Sequence, residues 1–99
     1  MIVITGQIYT DPETLPKLYA RLKSLCDPSR QEDGCLFYHM GMEDEAKGTI
    51  MAMEGWRDQA SLDAHLALPS IKALLEDFEG KFSNDVQIHE VSGSQRMLV

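Results

Sequence analysis

Cysteine is scarce in these 99 residues. Cys26 and Cys35 are the only two, and they do not form a CxxC pair, which argues against a redox or zinc motif and for two free, mostly buried thiols. The three histidines, His39, His65 and His89, stand singly. None has the i,i+4 or Cys/His spacing by which a small domain builds a metal centre, so no metal is expected. A Gly-rich phosphate loop, sequence repeats, low-complexity segments and linkers are all missing. So is any apolar run long enough for a membrane span, and residues 1–7 lack the basic start of a signal peptide. A cytoplasmic location is expected. Positive charge is also short: nine Lys and Arg against sixteen Asp and Glu give a formal charge of -7. Such a surface repels phosphate backbones and anionic lipid, so nucleic acid and membrane are excluded as partners in favour of a small molecule or a protein.

With 43% hydrophobic and 25% charged residues, the chain has the make-up of an ordinary folded protein. Its length suits one packed core, a single domain over residues 1–99. Residues 2–9 alternate, with Ile2, Ile4, Gly6 and Ile8 on one side and Val3, Thr5, Gln7 and Tyr9 on the other, as in a half-covered strand. Gly6 marks a bulge or a close approach, the bulge being the favoured expectation. Asp11-Pro12 reads as an N-cap and first helical position. Leu15, Leu18, Tyr19, Leu22, Leu25 and Cys26 then form one apolar stripe. Pro28 must kink this helix or open an extra turn capped by Asp27.

Residues 35–42 and 49–56 read as two strands of a hairpin around the charged turn 43–48. Leu36, Tyr38, Met40 and Met42 share one face of the first, and Ile50, Ala52, Glu54 and Trp56 share one face of the second. Asp58 caps a short helix whose inner edge is Leu62, His65 and Leu66. Beyond Pro69 a second stripe runs through Ile71, Leu74, Leu75, Phe78 and Phe82, and a last strand follows Asn84 or Asp85. The apolar tail 95–99 is a candidate for pairing with a neighbour's sheet edge. The order β-α-β-β-α-β predicts an α+β fold, a ferredoxin-like sandwich with an antiparallel four-stranded sheet and helices on one face. Apolar residues on both faces of the hairpin predict a homodimer with sheets back to back.

Residues 54–69 bring a carboxylate, an indole and an imidazole to one strand-to-helix corner. His65 is the candidate for proton chemistry, since imidazole gains and releases a proton near neutral pH; the plain alternative is a structural histidine. Trp56 serves as core packing or cavity wall. Glu54, on the same face, must find a donor in Arg57, His65 or a helix N-terminus. Tyr38 is the candidate for a hydrogen bond in the pocket, and Leu62 for its apolar wall, whereas His39 points to the opposite face.

The stretch Ser29-Arg30-Gln31-Glu32-Asp33-Gly34-Cys35-Leu36-Phe37-Tyr38, with Glu54-Gly55-Trp56-Arg57-Asp58 and Leu62-Asp63-Ala64-His65-Leu66, resembles the antibiotic biosynthesis monooxygenase family over nearly the whole chain. The resemblance implies a dimeric α+β barrel of two ferredoxin-like subunits, each with a cavity between helices and sheet. It also implies cofactor-free oxygenation, here of a small aromatic substrate such as a quinol or phenol by O2, with no cofactor bound. The haem-degrading branch carries Trp and His where this chain has His65 and Leu75, and the polyketide branch carries Asn where this chain has Ala52, so neither activity is expected. Two alternatives stand beside the quinol reading: an isomerase of a small phosphorylated dicarbonyl using Arg57 and Lys72, and a non-catalytic dimeric small-ligand binding or stress protein.

Overall fold

Alternation in the first segment produces β1 (Ile2–Thr10), whose inward Ile2 and Ile4 are buried. After it come α1 (Leu15–Ser24), α2 (Cys26–Arg30), β2 (Cys35–Asp44), β3 (Thr49–Trp56), α3 (Gln59–Leu66), α4 (Pro69–Asp77) and β4 (Phe82–Glu90). This computed structural model describes residues 1–98. The four strands form one antiparallel sheet in the order β2-β3-β1-β4, the ferredoxin-like α+β arrangement. Its core is a single cluster in which Leu15, Leu18 and Leu22 of α1, Leu62 of α3, and Ile71 and Leu74 of α4 meet Ile2, Ile4, Tyr38, Met40, Ile50, Ala52 and Trp56 of the sheet.

Several boundaries differ from the sequence expectation. The first helix starts at Leu15, not behind Asp11. Were Pro12 the first helical residue, Pro16 would fall where an N–H must bond four residues back, and proline has none. Starting at Leu15 puts Pro16 in the first turn, where nothing is lost. Asp11 instead closes a separate turn, its carboxylate accepting from the Thr14 N–H at 2.8 Å and hydroxyl at 2.9 Å. Pro28 lies in the separate short helix α2, and Asp27 pairs with Arg30 at 2.9 Å and does not cap it.

Gly6 is no bulge: pairing with both neighbours runs through it without a shift. A Cβ there would sit 2.1 Å from the Asp85 carbonyl oxygen, so β4 approaches where only hydrogen leaves room. The irregularities lie in the pairing of β2 with β3, between Cys35 and Phe37 and between Met42 and Asp44, and the first turns Leu36 out to 51% exposure. Leu66 and Leu75 are also largely exposed. Phe82 opens β4, five residues after the end of α4, because Gly80, at φ 74°, reverses the chain. It packs against the core from the sheet side, and thereby continues the helical stripe in sequence only. Residues 91–98 form no strand, so the tail adds none to the sheet; Val99 lies outside the described residues.

Candidate functional site

The corner after β3 is held by the backbone. Arg57 N–H donates to the Gly34 carbonyl at 2.8 Å, and Asp58 caps α3 by accepting from the Ser61 N–H at 2.8 Å and hydroxyl at 2.7 Å. With α3 so anchored, Leu62 and His65, three residues apart, both turn inward. His65 is only 2% exposed. Its ring lies 4.6 Å from that of Trp56, with 36° between planes, and 5.4 Å from that of Tyr38.

The imidazole stands between two carboxylates. Nδ1 is 3.1 and 3.0 Å from the two oxygens of Glu32; Nε2 is 3.9 Å from Oε1 of Glu54. An ionised carboxylate can only accept, so the Glu32 contact is an Nδ1–H donation. Glu54 finds its donor in the Trp56 indole, Nε1–H to Oε1 at 3.1 Å, a donor outside the three the sequence suggested, Arg57, His65 and a helix N-terminus. Burial pushes the Glu54 carboxyl above its ordinary range, opposed by the indole donor and by His65. Burial, with the Glu54 charge adding to it, also pushes the Tyr38 phenol up.

A cavity of about 150 Å³ opens beside these groups. Leu18 and Leu22 of α1 and Ile71 and Leu74 of α4 roof it, while Met40, Ala52 and Val86 supply the sheet side; Tyr38, Glu54 and His65 form its polar end. Trp56, at 0% exposure, is set behind this lining in the packed core, one of the two roles the sequence offered it, and Leu62, expected in the apolar wall, lies there too. A wider, shallower depression of about 360 Å³ lies on the outer corner, bordered by Glu32, Asp33, Arg57 and Asp58. There Arg57 is tied to Asp33 at 3.1 Å and to Asp58 at 3.5 Å. Neither Arg57 nor Lys72 lines the apolar cavity.

Glu32 escaped the sequence reading because it sits in the tight turn between α2 and β2, where no periodicity assigns a side chain to a face. The one available signal was a buried-looking histidine in need of an acceptor. His39 and His89 lie elsewhere, His39 beside Arg30 and His89 against Thr5 on the opposite sheet face. Among the described residues no three His, Cys, Asp or Glu side chains are grouped to hold a metal ion. No helix among them is long and apolar enough to cross a membrane.

A sequence model described as antibiotic biosynthesis monooxygenase matches residues 1–77. An uncharacterized protein of Synechocystis, sll1783, is 24% identical over 98 residues, spanning 97% of this chain and 67% of its own length. Among solved structures, a Deinococcus radiodurans protein provisionally assigned as an antibiotic biosynthesis monooxygenase matches with a TM-score of 0.87 at 22% identity, over 100% of both chains. Rv0793 from Mycobacterium tuberculosis matches with a TM-score of 0.83 at 21% identity, over 96% of this chain and 98% of its own. At such identities the structural likeness establishes the fold.

Proposed function

Because this chain belongs to the antibiotic biosynthesis monooxygenase family, we propose that it is a cofactor-independent monooxygenase that oxidises a small electron-rich aromatic, a quinol or phenol, with O2. The observation that carries the reading is the Glu32–His65–Glu54 row at the polar end of an otherwise apolar cavity. A cavity of about 150 Å³ has the size that accepts one benzene ring. With Nδ1–H given to Glu32, Nε2 of His65 is the free base, and a phenolic O–H seated near it loses its proton there. The phenolate then gives electrons to O2, work otherwise done by a flavin or metal. One oxygen atom enters the ring and the other leaves as water, so a dihydric quinol plus O2 gives a hydroxyquinone plus H2O, with atoms and electrons balanced. The protein contributes desolvation, orientation and support for the developing anion.

The same reading has the chain act in the cytoplasm as a homodimer, joined through the sheet face that carries no helices. There Met51 and Met53 are left 41% and 46% exposed, adaptable apolar groups suited to a partner surface. The isomerase alternative gains no support, since its phosphate-binding Arg57 is engaged by two carboxylates away from the cavity.

Oxygen uptake with a panel of single-ring quinols and phenols tests the activity. The wild type is expected to consume O2 with at least one of them, and His65→Ala to lower the rate on the order of 100-fold or more. Uptake with none of the panel would leave a binding protein; uptake indifferent to His65→Ala would remove the imidazole from the chemistry.

A further inference from the structure

The two carboxylates flanking His65 open onto different spaces. Glu54 lines the apolar cavity, whereas Glu32 borders the depression on the outer corner and does not reach the cavity. The imidazole is the wall between them, with Nδ1 toward the outer carboxylate at 3.0 Å and Nε2 toward the inner one at 3.9 Å. The Glu32 side chain keeps 22% of its surface in contact with solvent, while that of His65 keeps 2%.

We propose that Glu32 is the positioning residue of the site, holding the proton of His65 on Nδ1 so that Nε2 stays bare toward the cavity, and the counter-charge for the imidazolium that forms there. The inference rests on the reading of His65 as the proton acceptor. When Nε2 takes a proton from substrate, Nδ1–H is already bonded to the Glu32 carboxylate. The carboxylate balances the charge of the imidazolium while it lasts; the proton on Nε2 then goes to the oxygen atom that leaves as water, which returns the ring to its Nδ1–H form with Nε2 bare for the next turnover. The abstracted proton thus stays within the cavity and no water need enter to remove it, which keeps the phenolate desolvated.

The groups that face the ring are consistent with this division. From β2 comes Tyr38, whose phenol burial holds protonated; from β3 come Trp56, an apolar backing, and Glu54, whose carboxyl burial pushes toward the neutral form. Cys35 stands near both carboxylates, and burial, with their charges, pushes its thiol up. Among these neighbours, Glu32 is the acceptor within hydrogen-bond distance of the ring nitrogens. A carboxylate fixing the tautomer of a histidine is a recurring way of aiming the other nitrogen.

The test combines imidazole nitrogen NMR with kinetics. Long-range 1H–15N spectra of the 15N-labelled protein are expected to show neutral His65 as the Nδ1–H tautomer, a preference lost in Glu32→Ala. Glu32→Gln keeps an acceptor but carries no charge to balance the imidazolium, so it should retain the tautomer while kcat for an active quinol falls about tenfold or more with KM little changed. Glu32→Asp should recover part of kcat. An Nε2–H tautomer in the wild type, or a Glu32→Gln kcat within about twofold of wild type, would overturn the proposal. If no quinol is consumed, the oxygenase reading fails; the tautomer in wild type and Glu32→Ala then decides the positioning role by itself.

Discussion

Glu54 carries an electrostatic cost that can be read from pH. Its folded carboxyl is raised from the ordinary 4.5, chiefly by burial, so the folded chain binds that proton more tightly than the unfolded chain does. The stability linked to this proton is complete below the ordinary value and is lost as pH rises through the folded value. Glu54→Gln imitates the protonated form and keeps an acceptor for the Trp56 indole. Relative to wild type, the variant should therefore gain melting temperature on going from pH 4 to pH 7; an unchanged difference between the two pH values would contradict this. At this scale, His65 and Glu54 were legible because a face-sharing pattern on a strand and a three-residue step on a helix both pointed inward. Glu32 was not, since a turn residue's direction depends on how two elements meet. The indole as donor to Glu54 was missed for a related reason: the two side chains share a face, and the reading sought a charge where a neighbour two residues away sufficed.

Elements were legible in kind and less so at their ends. All four strands follow from alternation and the two helical blocks from apolar stripes, but the starts of α1 and β4 hinge on where a proline's missing N–H is harmless and where a glycine reverses the chain. The pairing of β1 with β4 depends on Gly6. Since a Cβ there would meet backbone atoms of Asp85 and Val86, 2.1 and 2.6 Å away, no side-chain rotation can relieve it. Gly6→Ala should cost at least about 1–3 kcal/mol in denaturant unfolding, and amide exchange should rise along β1 and β4 before β2 and β3. Equal protection in variant and wild type would mean that β4 shifts without loss. On the helical side, Arg21 of α1 pairs with Asp77 of α4 and its guanidinium lies over the Phe78 ring, linking the two helices that roof the cavity.

Across the whole molecule, helices cover one face of the sheet and leave the other open, with Met51, Met53 and Tyr9 among its exposed large side chains. An acidic chain of formal charge -7 gains little by bringing two copies together through charged surfaces, so an apolar face is the economical meeting place. Met53→Glu places a carboxylate in that face without touching the buried core. Sedimentation velocity should then show the proposed dimer, expected for the wild type, replaced by monomer at micromolar concentration, while the circular dichroism spectrum is retained. A dimer that survives the substitution would have to be built elsewhere.

Phe82 and Val86 of β4 help enclose the cavity, yet both fall beyond the 77 positions at which family kinship is recognised. The chamber is thus tailored partly by a stretch that the shared signature leaves unconstrained. Two relatives alike throughout the signature are therefore free to differ in the shape of this chamber.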